Sequence, residues 1–275
     1  MDLNGKVMVI TGGASGIGLA TALAMAKKGA NPVLIDIEAS ALERAAAQFH
    51  KPVVTRVCDV RDFTAMQALA ADVVKTCGAV HGVFNNAGIA VGGPISEMKH
   101  DDWRWVIDVD LWGPIHGVEA FLPYLKSQKQ GGHILFTASF AGLVPNLGLG
   151  PYCAAKYGVV AIAEVLAREL RDDGIGVSVL CPMRVATNIG SSQRNRQSDY
   201  GGQEPSPPVQ QQGEDNRNLA GRVLDVTDVA DMVVQAVEDN VLYILPHDEA
   251  RGAVERRFQR ILRDFDYWSN RGGTV

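Results

Sequence analysis

The chain has 275 residues, enough for one large domain or two small ones. Apolar residues make up 47% and charged residues 21%, the proportions of a globular protein. A net charge of −5 excludes a basic surface for nucleic acid or an anionic membrane, and no apolar run approaches the roughly 18 residues that span a bilayer.

The N-terminus, MDLNGKVMVITGG, enters a β-rich run at once, without the charged block and apolar stretch of a signal peptide. A cytoplasmic protein is the expectation. Short β-rich runs then alternate with Ala-rich helical ones. Strands are expected at 7–11, 32–36, 53–57, 80–85, 133–138, 175–180 and 241–245, and helices at 16–29, 39–49, 62–77, 101–127, 152–173 and 226–239. This alternation predicts an α/β fold: a doubly wound parallel sheet of about seven strands in a three-layer α/β/α sandwich. No boundary or repeat divides residues 1–275, so a single domain is expected.

Two segments stand apart. Residues 188–222 are polar and rich in Gln and Pro, a composition that makes either a substrate lid or a disordered loop. Tyr200 is their only aromatic residue, which gives a lid little hydrophobic grip. Within the C-terminal tail, 250–275, residues 254–268 read as an amphipathic helix. Phe258, Ile261, Leu262 and Phe265 form one stripe, with Arg256, Arg257, Arg260 and Arg263 largely off it. The stripe is expected to pack on the chain's own core or on a partner subunit.

Cys58, Cys77, Cys153 and Cys181 have neither metal spacing nor a short disulfide framework, and the histidines are scattered. No metal site is expected. A nucleotide site is better supported. The first strand runs into Thr11-Gly12-Gly13-Ala14-Ser15-Gly16-Ile17-Gly18, and a helix follows. Glycines there let backbone N–H groups approach a pyrophosphate, and the helix N-terminus favours the anion. Asp36 ends the next strand, where a carboxylate accepts hydrogen bonds from both adenosine ribose hydroxyls and repels a 2′-phosphate. The next residue is Ile37 rather than a cation, and Ala14 adds none, so NAD is predicted over NADP. Asp59 and Val60 follow the third strand, within reach of adenine. Asn86, Ala87 and Gly88 follow the fourth, where small residues let a cofactor lie against the backbone.

Tyr152 and Lys156 lie four apart, on one helix face, and Ser139 lies thirteen residues upstream of the tyrosine. A free phenol has a pKa of about 10. A neighbouring ammonium lowers that value, which would suit Tyr152 to general acid–base work on a hydroxyl, with Ser139 holding the reacting oxygen.

The glycine loop, Asn85-Asn86-Ala87-Gly88, Ser139 and Tyr152-x-x-x-Lys156 stand in the order and spacing of the short-chain dehydrogenase/reductases, which the chain resembles from about residue 5 to 190. The resemblance implies a Rossmann-like fold, hydride transfer between NAD(P) and an alcohol or carbonyl, and a homodimer or homotetramer with helices 101–127 and 152–173 as contact surfaces. It makes Tyr152 the acid–base and Ser139 the substrate-orienting hydroxyl. Lys156 would bind the nicotinamide ribose and lower the Tyr152 pKa, while Val185 and Thr187 would hold the carboxamide and phosphate side of the cofactor. Two positions depart from the family pattern. Asp110 stands where an asparagine is usual, with a charge expected to stabilise the Lys156 ammonium, and Met183 replaces a glycine beside the nicotinamide. The tail is similar to a subgroup that includes bacterial Cα-dehydrogenases of lignin-derived aryl ethers. The expectation is therefore an NAD-dependent oxidoreductase for a bulky, apolar secondary alcohol or its ketone, with a hydroxysteroid fitting equally. Ala90, Val91, Phe140, Leu143, Val144, Leu147, Met183 and the 188–222 loop are candidates for the pocket wall. A non-catalytic NAD-binding sensor or scaffold is the competing expectation, supported by Asp110 and Met183.

Overall fold

Strands covered on both faces carry no polar face, and the Val- and Ile-rich runs of this chain behave accordingly. In the computed structural model, which describes residues 1–202 and 221–271, β1 (Val7–Thr11) is buried along its whole length. The strands that follow are β2 (Asn31–Asp36), β3 (Val54–Val57), β4 (Gly82–Asn85), β5 (Gly132–Thr137), β6 (Ile175–Leu180), β7 (Arg184–Val185), β8 (Val223–Leu224) and β9 (Tyr243–Ile244). Seven form one sheet in the order β3-β2-β1-β4-β5-β6-β9, every pairing parallel. β7 and β8 pair separately.

Successive residues of a strand face opposite sides of the sheet. Met8 and Ile10 therefore enter a layer with Ala22 and Met25 of α1 (Gly16–Lys27) and Val229 and Val233 of α7 (Val226–Asp239). Val7 and Val9 enter the other layer. It holds Met66 and Leu69 of α3 (Phe63–Cys77), Phe121 of α5 (Gly113–Gln128), and Ala155 and Val159 of α6 (Gly150–Glu169). α2 (Ala39–Ala46) adds Ala41 and Leu42 to the first layer, and α4 (His100–Ile107) adds Trp105 to the second. The helix ends follow capping chemistry. Asp62 accepts the Ala65 N–H at the start of α3, and Gly78 closes it at φ 80°. Asp225 caps α7, and Asn240 ends it at φ 55°.

The sheet, its two helical layers and most elements stand where the sequence places them. The expected helix 101–127 is instead two helices, α4 and α5, joined by a π-helical turn at Asp108–Trp112. A π turn widens the helix locally; this one carries Asp110 into the interior, at 0% exposure. The last strand shrinks from 241–245 to Tyr243–Ile244, because Val241 and Leu245 are about half exposed at the sheet edge. Of the polar stretch 188–222, residues 203–220 lie outside the described residues. The part up to Gly202 forms 3₁₀ turns at Ile189–Asn195 and Ser198–Tyr200. The tail is helical, as α8 (Arg251–Ser269). Among the described residues no helix is long and apolar enough to cross a membrane.

β1 lies between β2 and β4, so the chain winds outward to β3 and then returns to start the other half at β4. A crevice opens at the carboxyl ends of strands where the order reverses in this way. The ends of β1 and β4 carry Gly12 and Asn86.

Phe121 is fully buried between the sheet and α3. Phe121→Ala is expected to lower the free energy of unfolding by about 3–5 kcal/mol, read as a shift in the urea midpoint.

Candidate active site

The crevice is built from one hydroxyl outward. Thr11 Oγ1 accepts the N–H groups of Asn86 (2.9 Å) and Ala87 (3.1 Å) and donates to the Phe84 carbonyl (3.3 Å). Asn86 Nδ2 returns to the carbonyls of Thr11 (3.0 Å) and Gly12 (3.3 Å), and its Oδ1 accepts from Thr137 Oγ1 (2.9 Å). The ends of β1, β4 and β5 are thus one unit. Gly12 turns at φ +62°, and a Cβ on Gly18 would collide with the Gly12 carbonyl oxygen. Side chains are excluded at these two glycines, and Gly12 and Gly16 present backbone to the cleft. Ser15 starts α1 without capping it by its side chain, which leaves the first-turn amides without that partner at an end suited to an anion.

Asp36 closes the far end. Its Oδ2 accepts the Ala14 N–H and its Oδ1 the Glu38 N–H, each at 3.1 Å, which locks the carboxylate against the glycine turn. Burial pushes its pKa up, and the backbone N–H groups oppose that shift. Each carboxylate oxygen has a second lone pair for a ribose hydroxyl. Asp59 and Val60 line the same cleft, together with Gly12, Ser15, Gly16 and Ile17. Arg61 forks onto the Asp59 carboxylate at 2.7–3.0 Å. A glycine turn that a Cβ would block, uncapped amides and a locked carboxylate together fit a dinucleotide.

At the other end stand Tyr152 and Lys156, both buried on α6. Lys156 Nζ lies 5.4 Å from the centroid of the Tyr152 ring. It donates to the Thr137 carbonyl (3.0 Å) and pairs with Asp110 Oδ2 at 3.3 Å. Asp110 Oδ1 accepts the Ile89 N–H at 2.8 Å, which pins the Asn86-Ala87-Gly88 segment to the π turn. Ser139 Oγ accepts the Ala141 N–H (3.1 Å) and donates to the Pro182 carbonyl (3.4 Å), at the mouth of a short 3₁₀ turn.

The electrostatics differ from the sequence expectation. Lys156 does act to lower the Tyr152 pKa, and so does a hydrogen bond with Ser139. Burial outweighs both, and the Asp110 charge adds to it, so the phenol stands above its ordinary value. Lys156 is itself held above its usual range: burial disfavours the ammonium, but the Asp110 carboxylate and Tyr152 more than compensate. Burial pushes Asp110 up, with Lys156 and the Ile89 N–H opposing. The 3.3 Å separation and the donor to Asp110 Oδ1 mark an ion pair. The four cysteines are free thiols, and burial raises Cys58 to about 11 and Cys181 to about 12. Neither is a thiolate nucleophile at neutral pH. No cluster that could hold a metal ion occurs among the described residues.

The segment 188–202 crosses the cleft and is tied on both sides. Arg194 and Asn195 reach Glu38 beside Asp36, at 2.7 and 2.8 Å. On the α4 side the buried Arg196 pairs with Asp102 at 2.6 Å and donates to the Tyr200 carbonyl at 2.7 Å. Tyr200, expected to give little grip, is buried. Its hydroxyl donates to Asp108 Oδ2 at 2.6 Å, and the guanidinium groups of Arg61 and Arg104 lie over its ring, 4.8 and 5.0 Å from the centroid. The grip is polar and cation–π as well as apolar, since the buried ring also joins the core layer that holds Trp105.

The structure therefore gathers Gly12, Ser15, Gly16, Ile17, Asp36, Asp59, Val60, Asn86, Ala87, Gly88, Tyr152, Lys156 and Thr187 around one cleft. Val185 instead sits in β7, paired with Leu224 and packed on the α1–α7 layer. Of the pocket-wall candidates, Val91, Phe140 and Val144 are core side chains, and Leu147 is 60% exposed. Met183 packs with Phe140 and Ala253, and its N–H donates to Nδ1 of the buried His247 at 3.2 Å. The contacts of His247 with Arg184, of Arg196 with Asp102 and of Arg194 with Glu38 carry no sequence signal, since they join residues 63, 94 and 156 positions apart.

Residues 6–198 match the family described as short chain dehydrogenase, and the chain belongs to it. It is an oxidoreductase of that family. The C alpha-dehydrogenase of Sphingobium sp. strain SYK-6 is 33% identical over 267 residues, covering 95% of this chain and 87% of that protein. The 1-deoxy-11-beta-hydroxypentalenate dehydrogenase of Streptomyces exfoliatus is 31% identical over 269 residues, covering 96% and 90%. A short-chain dehydrogenase/reductase from Burkholderia phymatum, solved in complex with NAD, superposes with a TM-score of 0.88 at 35% identity over 96% of each chain.

Arg196→Met would leave the Asp102 carboxylate buried without its cation, a loss of about 3–5 kcal/mol. Amide hydrogen exchange across residues 195–200 is expected to accelerate strongly, while exchange in β1 and β4 stays slow.

Proposed function

We propose that the chain is an NAD-dependent oxidoreductase that interconverts a bulky, apolar secondary alcohol and its ketone. The observation that carries this reading is the single cleft that joins the Gly12–Gly18 turn and Asp36 to Tyr152 and Lys156. NAD, when bound, accepts the hydride. The glycine turn and the α1 amides would hold its pyrophosphate, Asp36 its adenosine ribose, Lys156 its nicotinamide ribose, and Thr187 its phosphate side. Ser139 would hold the substrate oxygen, and Tyr152 Oη would take the hydroxyl proton on oxidation and return it on reduction. The NAD complex of the Burkholderia phymatum relative supports the cofactor. The names of the two dehydrogenase relatives support an alcohol substrate, and the second supports a polycyclic one.

NAD is favoured over NADP by the Asp36 carboxylate. Arg194 lines the same cleft, but its guanidinium lies on Glu38 at 2.7 and 3.1 Å, which offsets its pull on a 2′-phosphate.

The test is NADH formation at 340 nm with aryl, steroid and aliphatic secondary alcohols, run with NAD and with NADP. Turnover with NAD on one bulky class is expected. Better turnover with NADP would refute the role given to Asp36, and NAD binding without turnover would favour a sensor. Tyr152→Phe removes the proton acceptor and is expected to lower kcat by about 10²–10⁴ while NAD still binds, measured by calorimetry.

Asp110 generates a pH prediction. Oxidation needs the phenolate, so its rate rises with pH through the Tyr152 pKa. The Asp110 charge disfavours the phenolate and raises that pKa. Asp110→Asn is therefore expected to move the ascending limb of the oxidation profile to lower pH. An unchanged profile contradicts the electrostatic role.

A further inference from the structure

α8 leaves the body of the protein with one fully buried residue, Ala253. Beyond it Phe258, Ile261, Leu262, Phe265 and Trp268 stand between 39% and 68% exposed. A contiguous apolar stripe of this kind marks an interaction surface. Its spacing narrows the occupant. Val254, Phe258, Ile261, Phe265 and Trp268 recur at steps of four, three, four and three, which is the a/d seam of a two-helix coiled coil, and Val254, at the end next to the body, is partly buried against its own chain's Phe140 and Val144 cluster. A helix lying on a membrane carries a Lys/Arg-rich polar face. Here Glu255, Asp264 and Asp266 interleave with the arginines.

We propose that α8 docks on α8 of a second copy of this chain, the two helices running antiparallel about a two-fold axis that passes between Gln259 and Arg260. This register overlaps the helix along almost its whole length. It sets Phe258 against Ile261 of the second copy and Val254 against Phe265, each contact occurring twice by symmetry. The end layers place Arg251 against Trp268, a cation facing an indole.

Charge decides the direction. In an antiparallel pair, positions preceding the a sites face one another, so Arg257 meets Asp264 of the second copy, again twice. In a parallel pair Arg257 would meet Leu262, and Asp264 would meet Ser269, with no charges matched. Arg257 is held beside the seam already, over its own chain's Tyr157 ring at 5.2 Å. Asp264 is exposed. The proposal uses no feature of the catalytic cleft and stands apart from the function proposed above.

The test is sedimentation velocity and equilibrium of the full chain with charge-reversal variants. Asp264→Arg sets like charges against each other at both crossings and is expected to halve the assembly order at micromolar concentration. The double variant Arg257→Asp, Asp264→Arg restores opposite charges and is expected to restore the order. Register is read separately. Val254→Cys with Phe265→Cys in one chain is expected to give a covalent dimer on oxidation, and neither single variant is. The two sites are eleven residues apart on one helix, about 16 Å, too far to close within a chain. A wild-type monomer overturns the proposal, and its flotation with anionic phospholipid vesicles would assign the stripe to a lipid surface. Unchanged assembly in Asp264→Arg overturns it too, as does failure of the double charge variant to restore what the single one loses.

Discussion

The reversal of strand order between β1 and β4 governs the rest of this molecule, and the Thr11 hydroxyl holds it. Two parallel strands from opposite halves of the sheet end side by side there, each with backbone groups that no further ladder pairing satisfies. Thr11 Oγ1 takes two of those N–H groups, and Asn86 takes two of the carbonyls. With the junction closed by side chains, the backbone beyond can leave the sheet. It does so through glycines on the β1 side and through Asn86-Ala87-Gly88 on the β4 side. The cleft is the space left by that divergence.

Its two ends are set by different kinds of element. Asp36 is fixed by two backbone N–H groups, that of Glu38 two residues on and that of Ala14 in the turn after the neighbouring strand, so this end needs only one β-α-β unit. The Tyr152 end needs three elements at once: α6 for Tyr152 and Lys156, β5 for the Thr137 carbonyl, and the π turn for Asp110. The widened turn matters because a regular helix through 101–127 would aim residue 110 elsewhere around its axis.

This division explains what was legible in the sequence. The strands and helices could be read because their apolar periodicity and caps are local, as with Asp62 and Gly78 around α3. That the glycine turn, Asp36, Tyr152 and Lys156 would meet in one cleft could be anticipated because each stands in a short, recognisable spacing. The π turn could not, since Asp108–Trp112 has no residue that forbids an ordinary helix. The mode of anchoring of Tyr200 also escaped. A lone tyrosine in a polar stretch looks weakly held until Arg61, Arg104 and Asp108 arrive from elements about 90 to 140 residues earlier. The net pKa of Tyr152 is likewise not a local property. Four-residue spacing gives the neighbour Lys156, but burial and the opposing Asp110 charge are products of the tertiary fold.

The Lys156–Asp110 pair is a costly thing to bury. Both side chains are almost wholly removed from water, and the desolvation of two ions is repaid only in part by their attraction. An apolar pair of similar volume would hold α6 against the π turn at least as well. Stability alone therefore gives no reason for a charged pair at this place. Its position supplies one. The ammonium lies between a carboxylate that keeps it charged and a phenol whose ionisation it favours, so Asp110 both secures the cation and tempers its effect on Tyr152. A neutral partner could share the Ile89 contact but not that balance. The charge at position 110 adds to burial in holding the Tyr152 phenol above its ordinary value, and it does so from a site that makes no contact with solvent.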